Sequence, residues 1–111
     1  MAHNTRITFD WNGSEYTLEF DRDSAVKAEK GYGISMRELS SGKASTAYDL
    51  FACAFIKHHP RIKGTTVKTI YDQMSDKVGL NEQLIQMYAE AAGSLLDDPD
   101  DEGKAISWKA K

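Results

Sequence analysis

Polar and apolar residues alternate from Arg6 to Trp11 and again from Glu15 to Phe20, with Asn12-Gly13 between the two runs. A period of two marks strands that bury one face. Asn-Gly tolerates positive φ at both centres of a type I′ turn, so the pattern predicts a hairpin with a two-residue loop. In that register Phe9 faces Tyr16, Ile7 faces Leu18 and Arg6 faces Glu19, while Asp10 meets Glu15 at a small penalty. The paired apolar side chains share one face. Two strands alone are marginal, so that face must pack on helices.

From Ala47 to Pro60 the period changes. On a helical wheel Tyr48, Phe51, Ala52, Phe55 and His59 fall on one side, and Leu50, Cys53, Ala54 and Ile56 fill most of the rest. A helix apolar nearly all round is either a buried centrepiece or a membrane span. A span needs roughly 20 residues, and this run is too short. The pattern therefore predicts a central buried helix, capped by Ser45 or Thr46 and stopped by Pro60.

Shorter helices flank it. Asp21-Arg22-Asp23-Ser24 offers several N-caps for a helix over Ala25–Lys30, with Gly31 as the terminating residue and Val26 and Tyr32 buried. Ile34 to Leu39 is compatible with a helical turn. After the basic loop at 61–64, Thr65 or Thr66 can cap a helix whose stripe is Val67, Ile70, Tyr71 and Met74. The last helix, with Asn81 as a candidate cap, carries two stripes. Leu80, Leu84, Met87, Tyr88, Ala91 and Leu95 form the first, and Val78, Ile85, Ala89, Ala92 and Leu96 the second. One apolar face suffices for a monomer, so the second stripe is either core or a surface for another chain. Together these elements predict an α+β fold: an N-terminal antiparallel hairpin packed on three to four helices.

Composition narrows the class. The chain has 111 residues, 41% apolar, which suits one packed domain. Residues 1–96 carry 11 basic and 12 acidic side chains, against 3 and 5 in residues 97–111. No basic footprint of a nucleic-acid binder stands out. The acidic, proline-broken run Asp97–Glu102 predicts a flexible tail, which ends in the apolar pair Ile106 and Trp108. The division is thus 1–96, a globular domain, and 97–111, a tail. A single cysteine, Cys53, excludes an internal disulfide and fits a reducing compartment. The polar N-terminus lacks a signal-peptide core, and no stretch is long enough to cross a membrane.

Candidate chemistry is sparse. Adjacent His58 and His59 point about 100° apart on a helix and cannot easily chelate one ion. No His-x-x-x-His or Cys-x-x-Cys joins them, and the acidic run lacks the spacing of a calcium loop. Gly31-Tyr32-Gly33 follows a helix rather than a strand, unlike a phosphate loop. The sequence predicts no catalytic, cofactor or metal site, and no enzyme. Surface for partners remains: Trp11 beside the turn, the second stripe Val78, Ile85, Ala89, Ala92 and Leu96, and Trp108 on its acidic tether.

These residues resemble a family. The Ile7-x-Phe9 to Tyr16-x-Leu18-x-Phe20 hairpin is followed by Asp23-Ser24-Ala25-Val26-Lys27 and Gly31-Tyr32. Then come Leu50-Phe51-Ala52-Cys53-Ala54-Phe55-Ile56-Lys57-His58-His59-Pro60 and Leu84-x-x-Met87-Tyr88. Over roughly residues 6–96 the chain is similar to the small tail proteins of long-tailed phages and prophages of Gram-positive bacteria, the tail assembly chaperones. The resemblance implies a non-enzymatic protein of the host cytoplasm that coats the apolar tape measure protein and helps recruit tail tube subunits. It implies self-association, no cofactor, no nucleic acid and no membrane. Some members have a longer frameshifted form, whose extension would join near Asp97. A structural or adaptor subunit of the tail is the alternative reading.

Overall fold

The computed structural model describes residues 6–96 and 106–110. Strands β1 (Ile7–Trp11) and β2 (Ser14–Leu18) pair antiparallel in the register that the alternation predicts, with Ile7 opposite Leu18 and Phe9 opposite Tyr16. Asn12 and Gly13 both take positive φ, 51° and 81°, as a two-residue turn of this twist requires. Phe9 stacks on Tyr16 with ring centroids 5.6 Å apart, and Phe55 presents its edge to both rings.

Five α-helices follow: α1 (Arg22–Tyr32), α2 (Met36–Ser40), α3 (Ala44–Cys53), α4 (Gly64–Gln73) and α5 (Lys77–Gly93). A short 3-10 turn, Ser94–Leu96, closes the series. The hairpin lies on a mainly helical body, as expected. The count exceeds three to four because the ambiguous stretch after Ile34 forms α2, whose N-cap Ser35 accepts the Glu38 N–H.

The segment at the centre is the most enclosed part of the molecule. Leu50, Phe51, Cys53 and Ala54 are 0% exposed and Phe55 is 1% exposed. It is not one helix to His59, however. Regular α-helix stops at Cys53, and residues 54–58 continue as turns. The Ala54 carbonyl accepts the Glu19 N–H at 3.1 Å, at the end of β2. That bond ties the residue after β2 to the C-terminal end of α3. Tighter bonds, Phe55 N–H to Ala52 and Ile56 N–H to Cys53, carry the chain around.

Helix ends differ from expectation where tertiary contacts decide them. Helix α1 begins earlier, in a capping box: Asp21 Oδ1 accepts the Ser24 N–H and Ser24 Oγ accepts the Asp21 N–H, each at 2.8 Å. It ends at Gly33, φ 68°, rather than at Gly31, because the next residue, Ile34, turns into the core. Its buried positions are Ser24, Ala25 and Ala28, whose small side chains let it approach α3 and α5. Val26 is half-buried and Tyr32 is exposed, contrary to the expected burial of both.

Helices α3 and α4 start at Ala44 and Gly64 without side-chain caps, so none of Ser45, Thr46, Thr65 or Thr66 serves as one. The Lys43 and Lys63 carbonyls close those first turns, accepting from Ala47 and Val67. Helix α5 starts at Lys77 behind Asp76, not Asn81. Asp76 takes φ 48° and its carboxylate accepts the Gly79 N–H. A Cβ at Gly79 would collide with that carboxylate, so the cap depends on glycine there.

The 3-10 turn ends at Leu96, and residues 97–105, which follow the expected domain boundary, lie outside the described residues. The acidic run Asp97–Glu102 of the expected flexible tail lies outside the described residues. Residues 106–110 have no regular secondary structure and are exposed.

Candidate interaction surface

Two regions of the fold concentrate polar or apolar groups that the core does not absorb. The first is the seam where β2 meets the turn after α3. The Glu19 side chain, 4% exposed, is held by His58 and by two cations, Lys57 and Arg6. Its carboxylate accepts from His58 Nε2 at 2.7 Å and lies 3.2 Å from Lys57 Nζ and 3.8 Å from Arg6 Nε. Burial opposes the charge on Glu19, but the bonds from His58 and Lys57 outweigh it and hold the carboxyl below its ordinary range. The expected pairing of Arg6 with Glu19 is present, as one spoke of this larger cluster.

His59 plays a different part. Its Nε2 accepts the Thr17 N–H at 3.0 Å, and its ring packs against Tyr16 and Phe55. An acceptor nitrogen carries no proton, and burial together with the neighbouring His58 holds the ring's pKa down. So the two histidines grip β2 at separate points, His58 through a side chain and His59 through the backbone. Among the described residues no three His, Cys, Asp or Glu side chains gather as a metal site. Cys53 is fully buried, and burial and then Asp49 push its thiol up to about 12, which keeps it protonated at neutral pH. Trp11 is half-buried; its indole N–H donates to Gln73 Oε1 at 3.0 Å and its ring tilts against Tyr16. It closes the edge of the domain.

The second region is the surface around α5, where the paired stripes divide. Leu84, Met87, Tyr88 and Ala91 of the first stripe are buried, and Leu80 is half-buried. Leu95 is not core; it is 45% exposed, because the chain tightens into the 3-10 turn just before it. Of the second stripe, Ile85 and Ala92 are half-buried and pack against the core, and Ala89 is half-buried. Only its two ends reach solvent fully, Val78 at 75% and Leu96 at 90%. Arg22, at the start of α1, donates to the Ser94 carbonyl and hydroxyl and fixes the C-terminal end of α5 in place.

Trp108 and Ile106 are 83% and 89% exposed. Tyr32 and Met36 join this inventory of uncovered large side chains, and periodicity gave no sign of either. A contiguous apolar patch left in water marks a contact with another molecule, whereas apolar side chains exposed singly are normal. Among the described residues no helix is long and apolar enough to cross a membrane.

No curated protein and no solved structure matches this chain. A family profile does match, over residues 1–111, and by that match the chain belongs to the family described as a domain of unknown function, DUF5055.

Proposed function

We propose that this protein is a phage tail assembly chaperone, a non-enzymatic binder of the tape measure protein that works in the host cytoplasm and assists addition of tail tube subunits. The observation that carries the reading is the set of apolar side chains left in water at the ends of α5, Val78, Leu95 and Leu96, beside a well-filled core. A coat protein grips its client many times over, so each grip can be small and weak. Short apolar patches at the two ends of a rigid helix, Val78 in its first turn and Leu95 and Leu96 in the 3-10 turn after it, suit that task, because the fold holds them ready and little order is lost on contact. The resemblance of residues 6–96 to tail assembly chaperones supplies the client. The proposal needs no cofactor, nucleic acid or membrane.

Co-expression with the tape measure gene from the same tail operon tests it. The wild-type chain is expected to keep the tape measure soluble and to co-purify with it. Val78→Asp with Leu96→Asp should abolish both while leaving the circular dichroism spectrum unchanged. A tape measure that precipitates equally with and without the protein would sink the proposal. Finding the protein at stoichiometric level in purified virions would replace it with the structural or adaptor reading.

A further inference from the structure

Away from α5 the fold leaves a second unfilled feature, a cleft of about 310 Å³ between the end of α1, the outer face of α3 and the loop before α4. Tyr32, Tyr48, Ala52, Ile56, Pro60 and Ile62 supply most of its lining, and Asp49 is the carboxylate within it. Its volume is at the lower end of the roughly 300–1,000 Å³ typical of concave binding sites. A space of that size and character accepts one or two large apolar side chains.

The charges around it are ordered. Arg61 and Lys63, both exposed, flank Ile62 on the loop at its rim, and Asp49 lies inside. One stretch of this same chain has largely the opposite order: five acidic residues from Asp97 to Glu102, a single Lys104, then Ile106 and Trp108, then Lys109. The acidic run suits the basic rim, the apolar pair suits the lining, and Lys109 suits Asp49. In the folded chain Ile106 and Trp108 are 89% and 83% exposed, so the segment does not fill the cleft of its own molecule.

The geometry points to a second copy of this chain as the occupant, its Ile106–Trp108 segment entering the cleft with the acidic run lying along Arg61 and Lys63. Each copy then offers one segment and one cleft. Such a contact is heterologous, and unless a rotation closes it, it adds copies in a line. The inference uses residues other than the ends of α5 and stands whether or not the tape measure is the client.

Sedimentation velocity on full-length chains tests it. The wild type should form concentration-dependent oligomers, and Trp108→Ala should weaken association about tenfold or more. Ala52→Arg, which blocks the cleft, should do the same. Mixed, the two variants should form a dimer and nothing larger, since one keeps the cleft and the other the segment. If Ala52→Arg fails to fold by circular dichroism, a peptide of residues 97–111 titrated into Trp108→Ala replaces it. That peptide should saturate one site, more weakly as salt is raised. Three results would each overturn the inference: a wild type that stays monomeric at every concentration, a Trp108→Ala variant that oligomerises like the wild type, or mixed variants (or peptide) that fail to associate.

Discussion

The seam at β2 and the ends of α5 treat their surroundings in opposite ways. At the seam every group described has an internal partner. The Glu19 carboxylate meets His58, Lys57 and Arg6, the Glu19 amide meets Ala54, and the Thr17 amide meets His59. At the ends of α5, Val78 and Leu96 meet water. The difference does not come from a shortage of core, since the same helix buries Leu84, Met87 and Tyr88. It teaches that one region is closed on itself and the other is left open to solvent.

Substitutions that sharpen this contrast fall in order of size. Phe55→Ala removes the ring against which Phe9, Tyr16 and Phe51 all pack, and should cost about 3–5 kcal/mol in urea unfolding. Glu19→Gln keeps the shape of the seam but removes its charge from between His58 and Lys57. A loss of about 1.5–3 kcal/mol is expected, and a loss near zero would show that the cluster contributes only position.

Acid should act on the same seam. The unfolded chain protonates His59 below about pH 6.5, while the native ring, its pKa held down by burial and by His58, resists. The His59 contribution is therefore complete above that pH and is lost as pH falls through the native value. Glu19 follows at lower pH: its folded carboxyl lies below the ordinary 4.5, so its contribution is lost as the medium becomes more acidic than that. His59→Gln keeps an acceptor for the Thr17 N–H but cannot titrate. Urea midpoints measured across this range should lose their first downward step in that variant and keep the second.

At the open region the expected effect on stability is smallest. Val78→Asp and Leu96→Asp should each change unfolding free energy by no more than about 0.5 kcal/mol. Ile85→Asp, at the half-buried middle of the same stripe, should destabilise measurably more, because it packs on the core. Equal behaviour of all three positions would erase the distinction between the middle and the ends of the stripe.

Much of the fold is legible in the residues. The hairpin register follows from alternation plus Asn12-Gly13, and the most buried segment follows from an apolar run with almost no polar interruption. Helix ends are less legible, for a physical reason. Past Cys53 the Phe55 and Ile56 amides take tighter three-residue bonds, in a segment whose Ala54 carbonyl bonds Glu19, thirty-odd residues away in sequence. Gly31 and Gly33 are equally good terminators by composition; Ile34 turning inward selects the second. The second stripe of α5 was separable by period, but only packing shows that its middle is occupied and its ends are not. His58 and His59 read as residues pointing apart on one helix; the sequence does not show that they hold two groups of the hairpin side, the Glu19 carboxylate and the Thr17 amide, from a turn that is no longer helical.

The shared carbonyl of Ala54 has one more consequence. A hairpin joined to helices only through side chains could peel away while the rest stayed folded. Here the end of β2 and the last turn of α3 are tied by the same backbone oxygen, so loosening one exposes the other. In heavy water the Glu19 amide should exchange at the pace of whole-molecule opening, not of a fraying strand end.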